Sequence, residues 1–227
     1  MDYVVKPIAR RRAKRLICRY HYSMTLPPTI YTFGLFGRDD FLEGACCFGL
    51  GANNKMMLVA KEEGWEFLEL VRLCLKNNEK NAASFFVGNC LRSLPKGILV
   101  VSYADITWGH SGKIYQATNW LYTGLSAAQK VCVDGKGESV HKRSMSGRLG
   151  MLKESRLPDS VKLIDGIQKH RYFYCLGKTK VQKRLMREWV DKRFGIRPYP
   201  LEDTQRYDID ELRKEKQERS GVKGFGL

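Results

Sequence analysis

The stretch Glu69-Leu70-Val71-Arg72-Leu73-Cys74-Leu75, followed by Asn81-Ala82-Ala83-Ser84-Phe85-Phe86 and Ile98-Leu99-Val100-Val101-Ser102-Tyr103, decides the fold class. The first piece lies in an apolar run, 65–76, that alternates as a strand does, Phe67, Glu69, Val71, Leu73 and Leu75 against Leu70, Arg72, Cys74 and Lys76. Phe86, Val87, Cys90, Leu91 and Leu94 then form an apolar stripe, so 81–94 reads as a helix that Pro95 and Gly97 end. The run 98–103 is continuously apolar, as in a central strand buried on both faces. A loop, Trp108-Gly109-His110-Ser111-Gly112, leads to a second helix at 113–122, packed through Ile114, Ala117 and Leu121 and stopped by Gly124. Residues 131–133 and 171–176 are short strand candidates. The order strand, helix, strand, helix, strand between 65 and 176 predicts an α/β fold around a central sheet.

Outward from this block, 31–36 and 41–50 read as two strands joined at Gly37-Arg38-Asp39-Asp40, a hairpin, and 56–60 as a further strand. Residues 6–20 form a basic amphipathic helix. Ala9, Ala13, Leu16, Ile17 and Tyr20 make its apolar stripe; Arg10, Arg11, Arg12, Lys14, Arg15 and Arg19 cover much of the rest. That face is either solvated or in contact with phosphates. The Gly-, Ser-, Lys- and Arg-rich stretch 134–170 reads as a long loop or small helical insertion. Val181, Leu185, Trp189 and Val190 mark another basic amphipathic helix, and the tail from Glu202 is charged and solvated. This divides the chain into 1–178, the main domain, and 179–227, a basic helix with a charged C-terminal extension.

The 227 residues carry 40 basic and 24 acidic side chains, a net charge of +16, which favours polyanionic partners. No apolar run is long enough to cross a bilayer, and arginines interrupt the N-terminal apolar residues, so a cytoplasmic protein with no membrane partner is expected. The seven cysteines include no CxxC; Cys46 and Cys47 point to opposite faces if their run is a strand, as buried small hydrophobes. The four histidines, His21, His110, His141 and His170, show no metal-ligand spacing, so the metal content is unknown.

Chemistry is expected beyond the carboxyl ends of the strands. Ser102, Tyr103 and Asp105 end one strand there. Asp105 is either a general base, or the orienter of one, or a cap of the next turn. Arg72 inside an apolar strand needs an ion-pair partner, Glu69 or Asp105, or an anionic ligand. Tyr115, Asn119 and Tyr122 share one helical face, which suits a flat hydrogen-bonding ring or, equally, a core stripe. Ser84 lies in the first turn of its helix, where free N–H groups favour an anion, or it caps that helix.

Two resemblances follow from these pieces. The segment 69–75, the helix from Asn81 and Gln116-Ala117-Thr118-Asn119-Trp120-Leu121-Tyr122-Thr123-Gly124 resemble the central strand, donor-binding helix and later helix of the GNAT acyltransferase fold. The implied architecture is a GNAT-like mixed central sheet flanked by helices. Asn77–Ser84 holds no glycine, a departure from the Gly-rich pyrophosphate loop of that fold. More closely, His21-Tyr22-Ser23, Glu69–Leu73, Asn81–Phe86, Val101–Asp105, Gly109–Asn119 and Lys169-His170-Arg171-Tyr172, in this order, resemble the Mom family of phage DNA-modification proteins. The resemblance implies an enzyme of the host cytoplasm that adds a carbamoylmethyl group to adenine N6 in double-stranded DNA and so protects it from restriction. It places Tyr22, Arg72, Ser84, Asp105 and Tyr115 in the catalytic site. His21, Ser102, Tyr103, Asn119 and Tyr122 are expected on the substrate, and Arg10, Arg11, Arg12, Lys14, Arg15, Lys142 and Arg143 on the DNA backbone. An iron requirement is implied by the resemblance alone.

A GNAT site transfers acyl groups, whereas carbamoylmethylation is an N-alkylation. N6-glycyl-adenine is an isomer of the carbamoylmethyl product, so the donor is expected to be acyl-type: acetyl-CoA-like, or a glycyl thioester or glycyl-tRNA, with tRNA then a partner. A homodimer is left open. Two competing expectations stand beside this one: an ordinary acetyltransferase of a protein or small molecule, and a non-enzymatic nucleic-acid-binding protein.

Overall fold

A computed structural model describes residues 3–51, 54–77, 79–128, 130–133, 139–141, 162–202, 210–211 and 214. Its centre is a seven-stranded sheet in the order β1-β2-β3-β4-β5-β10-β6. The strands are β1 (Val4–Pro7), β2 (Tyr31–Phe36), β3 (Leu42–Gly49), β4 (Glu66–Leu75), β5 (Ile98–Asp105), β6 (Leu121–Leu125) and β10 (Lys169–Leu176). Every neighbouring pair is antiparallel except β4 and β5. The hairpin, the run 65–76 and the central strand therefore form where periodicity placed them.

Helices cover both faces. One face packs on α3 (Ala82–Ser93) and α4 (Lys113–Ala117), through Phe86, Val87, Cys90, Leu91 and Tyr115. The other packs on α1 (Arg10–Tyr20), α2 (Asn54–Glu62) and α5 (Lys180–Phe194), through Ala13, Leu16, Ile17, Met56, Ala60, Met186 and Val190. Cys46 belongs to the first core and Cys47 to the second, the opposite pointing expected of adjacent strand residues. This is the mixed α/β architecture expected from the sequence.

Four local readings are corrected. The helix expected over 6–20 starts only at Arg10, because Lys6 and Pro7 pair with Gly34 and Phe33 as part of β1. Residues 56–60 belong to a helix, α2: Met56 and Ala60 are buried four apart while Leu58 is exposed, a helical period that so short an apolar run had concealed. The helix expected over 113–122 stops at Ala117. The Thr118 hydroxyl donates back to the Ile114 carbonyl at 2.8 Å, Asn119 takes a left-handed conformation (φ 60°), and Leu121 starts an edge strand. Tyr115, Asn119 and Tyr122 therefore do not share a helical face. The stretch 134–170 is neither a plain loop nor helical where described. β8 (Ser139–His141) and β9 (Lys162–Asp165) flank β7 (Lys130–Val133) in a second, three-stranded sheet, and Lys169 and His170 already belong to β10. Lys142 and Arg143 lie outside the described residues.

The feature that positions the site is a parting of strands. β4 and β5 pair over only four residues, Glu66↔Ile98 to Glu69↔Val101. Beyond them β4 stays with β3, with a register shift opposite Cys47 and Phe48, and β5 stays with β10. At the fork the Ser102 hydroxyl donates to the Leu70 carbonyl at 3.1 Å and shares a 2.8 Å hydrogen bond with the Tyr115 hydroxyl. A carbonyl that loses its strand partner is thereby satisfied in a buried place.

Candidate active site

The open end of the fork collects side chains from three separate parts of the chain. The turn after α1 brings His21, Tyr22 and Thr25. The far half of β4 brings Arg72. The loop after β5, a 3₁₀ turn at Ile106–Trp108 and the residues that follow, brings Asp105, Trp108 and His110.

Tyr22 sits at the centre of an aromatic group. Its ring centroid is 4.1 Å from that of His21, 5.0 Å from Trp108 and 5.6 Å from His110. His21 is buried, and its Nδ1 lies 2.8 Å from the Ser23 hydroxyl and accepts from the Ser23 N–H at 3.0 Å, which fixes the turn that aims Tyr22. Arg72 pairs with no carboxylate in a salt bridge among the described residues. Its Nε donates to the Thr25 carbonyl at 2.9 Å and one Nη to the Val71 carbonyl at 2.6 Å, so it ties β4 to the Tyr22 turn. Burial lowers its pKa, while Tyr22 and then Glu69 act to raise it.

Asp105 ends β5 and accepts from the Thr107 N–H at 3.1 Å; it also forms a 2.6 Å ion pair with Lys169 of β10, the residue opposite it in register. Its pKa is lowered: burial acts to raise it and is outweighed by the Lys169 ammonium and the Thr107 bonds. The cap and the ion pair hold it as a carboxylate. His110 donates its backbone N–H to the Asp105 carbonyl at 3.2 Å. Burial lowers the His110 imidazole pKa, against the pull of Asp105, so the ring is neutral near pH 7.

The other expected residues lie elsewhere. Ser102 and Tyr115 are buried on the α3/α4 face, and Tyr115 packs between Trp120 and Tyr172 at centroid distances of 5.0 and 5.1 Å. Burial pushes the Tyr115 pKa well up, so the phenol stays protonated. Tyr122 faces the same side and meets His170 Nδ1 at 2.8 Å. Ser84, in the first turn of α3, donates back to the Asn81 carbonyl at 3.0 Å. Tyr103 is half-buried against the α2/α5 core, and Asn119 is the exposed left-handed turn residue. On α1, Arg10, Arg11, Arg12, Lys14 and Arg15 are all exposed; Arg10 also donates to the Leu26 and Pro27 carbonyls, and Arg12 lies over the Phe36 ring.

The structure thus regroups the expected residues. Tyr22, His21, Arg72 and Asp105 come together on the α1 side of the fork. Ser84, Ser102, Tyr115 and Tyr122 lie on the α3/α4 side. Trp108, His110 and Lys169 join the first group, and sequence reasoning assigned them no role. The one available signal was Trp108-Gly109-His110 directly after the strand-ending Asp105. Among the described residues no group of three or more His, Cys, Asp or Glu is placed to hold a metal ion. The iron implied by resemblance finds no ligand set among them. No helix among the described residues is long and apolar enough to cross a membrane.

A profile of the Mom protein family matches residues 2–200, nearly the whole chain. The chain belongs to the Mom protein family. A relative in Escherichia phage Mu, described as methylcarbamoylase mom, is 28% identical over 210 residues, covering 86% of this chain and 83% of that protein. Among solved structures, a putative phosphinothricin N-acetyltransferase aligns over 78% of this chain and 100% of its own, with TM-score 0.42 and 8% identity. The catalytic domain of Tetrahymena GCN5 histone acetyltransferase in complex with coenzyme A aligns over 76% and 92%, with TM-score 0.31 and 11% identity. The family membership agrees with the resemblance read from the motifs.

Proposed function

We propose that this member of the Mom family is a transferase that modifies adenine at N6 in double-stranded DNA, as a phage defence against restriction. The observation that carries the reading is the aromatic group of Tyr22, Trp108 and His110 beside Arg72 and Asp105 at the mouth of the β4–β5 fork, in a chain of net charge +16. A flat base extruded from the duplex stacks on such a group. The exposed cations Arg11, Lys14 and Arg15 of α1 lie on the same side of the sheet and hold the phosphate backbone.

The roles follow from the surroundings. Asp105, held ionised by Lys169, orients the exocyclic amine. His110, neutral and beside Asp105, takes the proton. Arg72 polarises the donor carbonyl. The donor lies on the α3/α4 side, with Ser84 and the α3 N-terminus at its anionic part, and reaches the base through the fork. Ser102 and Tyr115 keep the fork open. Asn77–Ser84 offers no glycine for close approach to a pyrophosphate, so a glycyl donor, a thioester or glycyl-tRNA, fits this chain better than coenzyme A bound in the usual GNAT manner.

In that route N6 attacks the glycyl carbonyl, the N6–C bond forms and the thiol or tRNA hydroxyl leaves with a proton. The product is N6-glycyl-adenine. Its free amine can attack C6 through a five-membered ring. Cleavage of the C6–N6 bond, with one proton moved between the nitrogens, gives the carbamoylmethyl isomer with the glycine nitrogen on C6. The test is to express the chain in bacteria fed ¹⁵N-glycine, digest the DNA and examine deoxyadenosine by mass spectrometry. A modified nucleoside carrying the label supports the reading. An unchanged nucleoside profile from folded protein overturns it, and an unlabelled modification overturns the glycyl donor alone.

A further inference from the structure

The edge of the main sheet carries two guanidinium groups that the site above does not use. Arg171 lies on β10, two residues from Lys169. Its Nε donates to the Thr123 hydroxyl at 2.9 Å and an Nη to the Thr123 carbonyl at 3.2 Å, and its plane lies 4.2 Å from the centre of the Phe194 ring. Arg197 follows α5, where the chain wraps around β6. Its backbone N–H donates to the Tyr122 carbonyl at 2.9 Å, and its guanidinium occupies the space beside Gly124, 3.1 Å from where a Cβ would be. Consecutive residues of the edge strand, Thr123 and Gly124, thus each carry an arginine.

The second charge acts on the first. Burial lowers the Arg171 pKa, Tyr103 acts to raise it, and Arg197 lowers it. Among the described residues neither arginine forms a salt bridge. Glu202 acts on Tyr122 and His170, yet makes no ion pair with Arg197 there. A clamp on Thr123 needs one charge. A second guanidinium beside a half-buried first one is unfavourable unless an anion joins them. Part of the Arg171 fork holds Thr123, and the rest of it remains for an oxygen ligand, in the planar geometry that suits a phosphate.

We propose that Arg171 and Arg197 form a phosphate subsite that grips the DNA backbone next to the adenine being modified. The proposal rests on the DNA-modification reading and deepens it. Arg171 stands opposite Tyr103 in register, two residues from Asp105. Strand geometry therefore puts the two Cα atoms about 8 Å apart on one face of the sheet, and the Arg171 side chain reaches on from there toward Thr123 of β6. One nucleotide bridges such a span, with its base at Asp105 and an adjoining phosphate on the arginines. Extrusion turns a nucleotide about its flanking phosphates, so a pocket for an extruded base works best with one of them held.

The experiment uses the full chain, a duplex oligonucleotide with single phosphates replaced in turn by neutral methylphosphonates, and the Arg197→Ala and Arg171→Lys variants. Arg197 is exposed, so Arg197→Ala keeps its fold, as a thermal melt checks. For wild type, one neutralised phosphate beside the modified adenine is expected to weaken binding. For Arg197→Ala that position loses its effect, and the slope of log Kd against log salt falls by about 1. Variants that keep the wild-type slope and the wild-type interference pattern overturn the subsite, as does a wild-type protein that does not bind DNA. Deoxyadenosine from bacteria expressing the wild type and the same variants, where the donor is supplied, is analysed by mass spectrometry. Changed slopes with unmodified DNA overturn the enzymatic reading and leave the subsite standing, whereas modified DNA with unchanged slopes overturns the subsite alone.

Discussion

Ser102 and Tyr115 give the sharpest test of how the site is built. Ser102 donates to the Leu70 carbonyl at the fork and shares a hydrogen bond with Tyr115; Ser102 is 1% exposed and Tyr115 8%. Replacing Ser102 by alanine strands two buried polar groups at once. Each costs about 1–3 kcal/mol, so a loss of about 2–6 kcal/mol is expected. Tyr115→Phe removes one hydroxyl and leaves the Ser102–Leu70 bond intact, for about 1 kcal/mol. In a domain of this size 1 kcal/mol shifts Tm by about 2–4 °C. Ser102→Ala should therefore lower Tm by on the order of 10 °C and Tyr115→Phe by only a few degrees. The double variant should cost about 1 kcal/mol less than the sum of the two, because the Tyr115 hydroxyl is then no longer left unpaired. Thermal and urea melts of the four proteins, with turnover on DNA, decide the matter. As a supporting group, Tyr115 keeps most turnover when changed to phenylalanine, within about tenfold. A loss of more than about 100-fold with the Tm nearly unchanged would refute the reasoning and make the phenol a direct participant.

Three further outcomes are expected. Gly112 has φ 86°, and a Cβ on it would lie 2.4 Å from the Tyr172 ring, so Gly112→Ala should cost at least about 2 kcal/mol in a urea melt; a cost below about 0.5 kcal/mol would show that the loop simply shifts. The His110 pKa is lowered in the folded protein, so the unfolded chain binds more protons as pH falls below about 6.5; its contribution to stability is complete above that value and is lost as pH drops through the folded pKa, and the acid limb of kcat/KM should lie below 6.5 and vanish in His110→Gln. An acid limb unchanged in that variant removes His110 as the base. Asp105→Asn should abolish turnover and cost about 1–2 kcal/mol, while Lys169→Met should raise the carboxyl's pKa and move its titration upward in a carboxyl-detected NMR series; no movement would mean that the ion pair does not hold the charge.

What the sequence made legible follows the range of the interactions. The strands 65–76 and 98–103 and the helix from Asn81 are written in local periodicity, and the structure builds them within a residue or two. The helix 113–122 is not, because one hydroxyl and one left-handed asparagine end it after Ala117, and no periodicity carries that information. Residues 56–60 were misread because so short an apolar run fits a strand and a buried helix alike. The candidate site was half legible. Arg72 and Asp105 stand out as charged residues at strand ends. Their grouping with Tyr22, Trp108 and His110 joins positions more than eighty residues apart and depends on which strands part.

That grouping changes how the labour divides. The site implied by the resemblance invites Arg72 and Ser84 on the donor side, with Asp105 and Tyr115 on the base side. The sheet separates them differently, because Arg72 and Asp105 project to the α1 face while Tyr115 and Ser84 lie with α3 and α4. A reaction across the fork then needs a group at the gap itself that faces both reactants. In the proposed reaction Arg72 meets that need. It is anchored to the Tyr22 turn through Thr25 and stands on β4 just past Leu70, whose carbonyl marks where the strands part. Arg72→Lys keeps the charge but loses the fork that grips the Thr25 carbonyl while pointing elsewhere. If Arg72 serves both anchoring and catalysis, Arg72→Lys lowers kcat by at least about tenfold and weakens binding of a base-containing strand. A variant with only its DNA affinity reduced would confine Arg72 to positioning Tyr22.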